Sequence, residues 1–412
     1  METKPYTPIL VIFIFILSMT VSAQEDFKSY RGFVINEVTE EPITAAKVEV
    51  KNHDFSTVTN KEGEFTLKIP RKLTNAVITI SYLGYENKSL HLRNFNEERT
   101  RIELLESSEK LSEVNLYQIK DALSLVKNCF SKRGENYMDN SMVMTGFYRE
   151  TIQIGRRNVS LSEAVVKIHK EPYTSNKKDR VSIFKARKNT DYSRLDTLAL
   201  KLRGGPYSSL YLDVMEYPEF LFEDEQLSNY TFSLDEPTSI NNRYVHQINF
   251  EENVKNNSWY SGTLYIDAAT STLLKANYKL NIENRKLAAK MFVHRKPGSV
   301  KVYPEQIEYK VDYFEKNGKW YYGHSSAMLE FVVNWKKKLF NSRFILNNEM
   351  IVTNREETTK NNLKKSNYIK PSIVMADDVS GFRDSNFWGS SNIIEPEKSI
   401  QNAIEKIRKK LD

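Results

Sequence analysis

One cysteine, Cys129, stands in a chain of 412 residues. A lone cysteine excludes an internal disulfide framework and a cysteine-based zinc site. Histidine is scarce too: His53, His91, His169, His246, His294 and His324 are scattered, and none falls in an H-E-x-x-H or H-x-x-E arrangement. The metallopeptidase signature is therefore missing, and no metal or other cofactor is expected. G-x-S-x-G, the mark of the α/β serine hydrolases, does not occur, and Gly204-Gly205-Pro206 lacks the following Lys-Ser/Thr of a phosphate cradle. Neither sign of charge dominates, because 60 basic and 53 acidic residues leave only +7. With no RRM, zinc-finger or helix-turn-helix signature either, a nucleic-acid partner is not expected. After the N-terminus no stretch approaches 18 apolar residues, the length of a membrane-spanning helix.

Aromatic side chains fill the place of what is scarce. Tyr 23 and Phe 21 against Gly 14 favour strands, and 40% hydrophobic with 27% charged content suits a folded chain. Residues 1–23 read as a secretory signal peptide: Lys4 gives the positive start, Ile9 to Leu17 the apolar core, and Val21-Ser22-Ala23 a small-residue cleavage site. An uncleaved anchor is the alternative. No cysteine follows the apolar core, so lipoprotein processing is excluded. An exported chain without disulfides suits a bacterial envelope, in the periplasm or at the outer-membrane periphery.

Strand signals begin at Tyr30. Gly32 to Ile35, Ala46 to Val50, Thr57 to Thr59, Phe65 to Leu67 and Ile78 to Tyr82 alternate in the manner of strands. Asn60 and Gly63 form a tight turn and Pro42 another, an arrangement that predicts a small β-sandwich. The residues Gly32, Val34, Pro42, Ala46, Val48, Val50, Thr57, Gly63, Phe65, Ile80, Ser81, Tyr82, Gly84 and Tyr85 resemble the carboxypeptidase-regulatory-like domain, common in envelope proteins of Bacteroidetes. The pattern departs at Thr44-Ala45, where a glycine often precedes the alanine. The resemblance implies an Ig-like or transthyretin-like accessory sandwich without catalytic residues, found at the front of many TonB-dependent receptors. An envelope protein or an outer-membrane receptor is the partner it implies, and no transporter barrel follows here.

Beyond a connector, Ile119, Ala122, Leu123, Val126, Cys129 and Phe130 recur at helical spacing, with Ser112 or Asn115 as candidate starts and Gly134 as the stop. Cys129 sits on the apolar face as a small hydrophobe. Paired strands follow at Met144 to Thr151 and Val159 to His169, and Lys170 to Tyr230 looks irregular. Strands resume at Tyr244 to Phe250, Trp259 to Asp267, Leu273 to Ile282, Ile307 to Tyr313, Trp320 to Val333 and Phe340 to Thr353. Ala268 to Ser271 and Asn317-Gly318 supply hairpin turns. Such hairpins predict a large antiparallel sheet or half-barrel with the helix across its concave side. Gly262, Leu264, Tyr265, Ile266, Asp267 and Thr270 resemble a strand of Bacteroidetes envelope proteins of unknown function, and loosely one of LolA/LolB-like half-barrels, which carry lipoproteins or lipids. That resemblance makes a lipid a second candidate partner, with Leu264, Ile266, Ile307, Tyr309 and Val311 as its apolar lining. Phe387-Trp388, Asn392, Ile394 and Pro396 resemble an ending found with the same regulatory-like domain. A final amphipathic helix carries Ile400, Ala403, Ile404, Ile407 and Leu411 on one face.

The expected division is 1–23 signal peptide, 24–105 sandwich, 106–138 connector and helix, 139–355 sheet or half-barrel, and 356–412 polar linker and helix. Glu216-Tyr217-Pro218-Glu219 with Glu223-Asp224-Glu225 has the composition of a sugar cleft, and equally of a surface loop with packed tyrosines. The expected role is non-catalytic binding or scaffolding in the envelope, with lipid carriage as the alternative. A hydrolase becomes the reading only if histidine and carboxylates converge in a cleft.

Overall fold

Seven short strands build the N-terminal unit: β1 (Phe27–Asn36), β2 (Lys47–Val50), β3 (Ser56–Val58), β4 (Glu64–Pro70), β5 (Val77–Ser81), β6 (Lys88–His91) and β7 (Thr100–Leu104). The computed structural model describes residues 27–96, 98–107, 121–193, 205–218, 221–222, 227–240, 243–253, 260–292, 300–336, 340–357, 367–373, 375 and 377–411. Residues 1–23, read from sequence as a signal peptide, and the candidate helix starts Ser112 and Asn115 lie outside them. Sheets β4-β1-β7 and β3-β2-β5-β6 face each other across Val34, Val48, Phe65, Leu67, Ile78, Ile80 and Ile102, all buried. Period-two alternation puts those side chains on the inner faces. Asn60 sets the β3–β4 turn, its Oδ1 accepting from the amides of Glu62 and Glu64 at 2.9 Å each. Gly63 has φ +74, and a Cβ there would meet the Val34 carbonyl at 2.4 Å. Ala45, where the resemblance often has glycine, has φ 61, a region that glycine enters without steric cost.

The larger sheet is made of β8 (Met142–Ile154), β9 (Arg157–Lys170), β10 (Arg180–Thr190), β11 (Tyr230–Leu234), β12 (Thr238–Ile240), β13 (Arg243–Glu252), β14 (Tyr260–Asp267), β15 (Leu273–Leu280), β16 (Val300–Lys316), β17 (Lys319–Trp335) and β18 (Ser342–Glu357). Its order is β10-β9-β8-β18-β17-β16-β15-β14-β13-β11, antiparallel throughout, with β12 on β13. Neighbours in the sheet are neighbours in sequence except where β18 returns to β8 and where β11 pairs with β13. Asn317 and Gly318 both have positive φ, as the tight β16–β17 hairpin requires.

Each face of this sheet is covered differently. α1 (Ala122–Ser131), the turn α2 (Arg133–Asn136), α3 (Pro206–Leu210) and α4 (Arg285–Phe292) lie against the inner face. The sandwich and α5 (Lys398–Leu411) lie against the outer one. Three expectations are corrected. Lys170 to Tyr230 is not irregular throughout, since it contains the edge strand β10, whose buried Arg187 and Lys188 hide the alternation. Gly134 does not end α1; Ser131 does, and Gly134 sits inside α2. Part of the supposed linker docks: Lys188 bridges Asp378, and the Ile369 amide donates to the Val181 carbonyl at 2.9 Å. That docking covers the free edge of β10.

Candidate functional site

Cross-strand register places the candidate lipid lining on the inner face. Leu264 pairs with Ala276 and Ala276 with Val311, while Tyr309 pairs with Tyr278. Leu264, Ile266 and Val311 share one core cluster with α1, Ile307 belongs to a second, and Tyr309 packs against both. Their neighbours come from this same chain. A strap made of residues 205–218 and 221–222 crosses the inner face from one edge of the sheet to the other. At β10 the Tyr207 hydroxyl accepts from the Val181 amide at 3.1 Å. In the middle the Ser209 carbonyl accepts from Ser325 Oγ at 3.0 Å and Ser208 Oγ from Asn348 Nδ2 at 2.9 Å. At the far edge Phe222 packs on Phe250, with ring centroids 4.9 Å apart. Cys129, deep in this layer, has its thiol pushed up to about 12 by burial.

A buried charge cluster fixes the strap. Lys170 Nζ lies 2.6 Å from Glu216 Oε2, 3.1 Å from Asp179 Oδ2 and 3.8 Å from Asp213 Oδ2. Tyr173 and Tyr313 donate to the two oxygens of Asp213 at 2.8 and 2.9 Å. Glu216 and Tyr217, read from sequence as part of an acidic surface loop, are thus core residues; Glu219 and Glu223 to Glu225 lie outside the described residues. Burial pushes the Glu216 carboxyl up to about 7 against the pull of Lys170. Its folded pKa exceeds the ordinary 4.5, so its share of stability is full below that value and is lost as pH rises to about 7. Glu216→Gln, neutral at every pH, is expected to gain on the native chain across that window. Urea unfolding at a series of pH values measures the gap.

The outer face is polar, and its strands bring ionisable groups side by side. Lys275 pairs with Asp312, and Asp312 with His324, on β15, β16 and β17. Lys275 Nζ is 2.8 Å from Asp312 Oδ1, and His324 Nδ1 is 3.0 Å from Asp312 Oδ2. Burial would raise the Asp312 carboxyl, but these two partners hold it well below the usual carboxylate range. The next row along runs through Asn277, Lys310, Ser326, Glu349 and Arg149.

Over these rows the sandwich and the C-terminal tail close a cleft of about 280 Å³, walled by Thr44, Asn60, Tyr82, Glu395 and Glu397. Ser56 Oγ donates to the Val352 carbonyl at 3.0 Å, and Asp54 receives Lys316 and Arg355. The tail is held in turn: Thr57 Oγ1 donates to the Ile393 carbonyl at 2.9 Å and Asn60 Nδ2 to that of Glu395 at 3.2 Å. Lys275 and Tyr82 meet across the gap, the ammonium 5.3 Å from the ring centre. Asn277 Oδ1, at the base, is buried without a hydrogen-bond partner among the described residues. Such an acceptor is costly to leave unmade, and a ligand donor would satisfy it. Sequence reasoning missed this cleft and singled out none of its charged residues. His169 on β9 and His246 on β13 are buried.

Comparison with known proteins bears on one part of the chain. Residues 30–116 match the CarboxypepD_reg-like domain family, in agreement with the resemblance read from the strand and turn residues. No curated protein matches the chain. Among solved structures, an outer membrane lipoprotein-sorting protein domain from Vibrio parahaemolyticus is 11% identical, at TM-score 0.26, over 60% of this chain and 95% of its own. A LolA superfamily protein from Nitrosomonas europaea is 8% identical, at TM-score 0.19, over 61% and 99%. A chain of the Pseudomonas aeruginosa MucA/MucB complex is 11% identical, at TM-score 0.18, over 58% and 100%. Likeness at these scores carries no argument, and the function has to be read from the chain's own residues.

Proposed function

We propose that this chain is an exported, non-catalytic binding protein of the cell envelope, whose cleft takes a small, neutral, hydroxyl-rich ligand of saccharide type. The carrying observation is the convergence of three remote segments on one polar cavity with an orphan acceptor, Asn277 Oδ1, at its base. Cations and carboxylates are interleaved in its walls, which disfavours a ligand of strong net charge. Amides from Asn60, Asn277 and Asn347, with the ring of Tyr82, offer the hydrogen bonds and apolar face that a sugar ring uses. The signal-like residues 1–23 and the regulatory-like sandwich support the envelope. His324 beside Asp312 goes part of the way to hydrolysis, yet among the described residues no hydroxyl or thiol is hydrogen-bonded to His324.

Neutral mono- and disaccharides added to the purified chain, followed by saturation-transfer NMR, test this reading. Binding is expected, and Asp312→Ala is expected to weaken it by roughly tenfold or more, since hydrogen bonds to charged groups contribute about 1.5–3 kcal/mol. Absence of any saturable signal from the whole panel would sink the saccharide reading. Lipid carriage is the second reading, favoured by the five apolar side chains on one face, and it requires the strap to leave that face. A lipid-range mass held by the chain in native mass spectrometry would select it.

A further inference from the structure

The end of the large sheet opposite the β16–β17 hairpin carries no part of the sandwich. Register collects there the β8–β9 turn, the end of β10, the start of β16, the end of β17 and the start of β18. Ile154 pairs with Arg157 and Phe344, Thr190 with Ser160, Val300 with Trp335, and Val333 with Ser342. α4 lies beside them, with Ala288 buried and Phe292 packed 6.0 Å from the ring of Phe331. That inward face leaves Leu287 and Met291, four residues apart, pointing outward beside Lys286 and Lys290.

Four apolar side chains stand in solvent at this end: Phe340 is 84% exposed, Tyr192 68%, Met291 43% and Leu287 39%. Around them Arg156, Arg157, Lys286, Lys290, Lys301 and Lys336 are exposed and make no ion pair among the described residues. The acids Glu305 and Glu330 are occupied by Arg285 and Arg343. Glu283 is exposed here as well, Asp191 and Glu252 lie at the flanks, and exposed Asp377 accepts from the Tyr192 hydroxyl.

Exposed apolar tips inside a ring of cations match two faces of a lipid surface at once. The apolar groups enter the acyl boundary, and the ammonium and guanidinium heads meet anionic headgroups. Protein interfaces, by contrast, are depleted in lysine at the contact. We propose that this end of the sheet docks the protein on an anionic bilayer surface. The proposal is independent of the cleft, which lies on the outer face.

Co-sedimentation of the full chain with vesicles tests it, comparing phosphatidylcholine alone with phosphatidylcholine mixed with phosphatidylglycerol. Binding to the mixed vesicles is expected, with weakening at high salt, and with roughly tenfold or greater loss in K290E/K336E. Phe340→Ser with Met291→Ser is expected to weaken it at every salt concentration, whereas K409E/K410E, on the basic end of α5, leaves it unchanged. Thermal melts of each variant separate loss of binding from loss of fold. No sedimentation with the mixed vesicles, or undiminished binding by K290E/K336E, overturns the proposal. Self-association in solution abolished by Phe340→Ser also overturns it, because the patch would then be covered by a second copy.

Discussion

Lys170→Met is expected to destabilise the fold by about 3–5 kcal/mol, the range for removing one partner of a buried ion pair. Asp179, Asp213 and Lys170 have no exposed side-chain surface, and Glu216 has 7%. Burial alone disfavours the ammonium, but the three carboxylates outweigh it and hold the Lys170 pKa above its ordinary value. Methionine fills the space and leaves three acids facing one another in a region of low dielectric. Only protonation relieves them, so the deficit should shrink as pH falls toward the carboxylate range. Urea midpoints for native and variant chains at neutral and acidic pH check both the size and its direction. Addition of Asp213→Asn to Lys170→Met should recover part of the loss. If the single variant unfolds at the native midpoint, the cluster does not hold the strap.

Glu163→Ala should be as severe, for the opposite electrostatic reason. Glu163 is fully buried and takes two guanidinium groups, Arg149 at 2.7 Å and Arg187 at 2.6 Å, side by side across β8, β9 and β10. Its own burial would raise its pKa, but the two arginines lower it. Alanine leaves two buried cations, again a loss of about 3–5 kcal/mol. Those same arginines hold the tail: Arg149 donates to the Ile394 carbonyl at 2.9 Å, and Arg187 lies 4.6 Å from the ring of Phe382 and 5.1 Å from that of Trp388. Hydrogen exchange should therefore speed up across residues 381–396 before it does in the sandwich core. Uniform exchange changes across the molecule would mean that Glu163 supports the sheet alone.

The contrast between those clusters and the hairpins shows what a single sequence can convey. Asn317-Gly318 and the alternation of Ile307, Tyr309 and Val311 are local signals, and the structure follows them. Asp267, which caps the turn at Ala269 and Thr270 with its Oδ1, is equally local. β10 was illegible because its buried cations, Arg187 on Glu163 and Lys188 on the Met375 carbonyl, find partners that no local spacing reveals, so hydropathy does not mark which face is buried. Strap residues Tyr207, Leu210, Val214 and Met215 have no strand or long-helix period, and only the face they cover explains them. The cleft was hidden for a third reason. Its walls come from about residues 44–82, 149–151, 275–328, 347–349 and 395–400, and no spacing rule relates such segments.

The meeting of β8 with β18 has a consequence for how the molecule is made. Arg149 and Glu349, in contact across that seam, are 200 positions apart. Thr57 and Ile393 are 336 apart. Closing loops of that length is entropically slow, and non-local pairing of this kind places a fold among the slower ones. A chain emerging end first can complete its sandwich early. Its central seam must wait for β18, and its cleft for the tail, both of which are synthesised long after the sandwich.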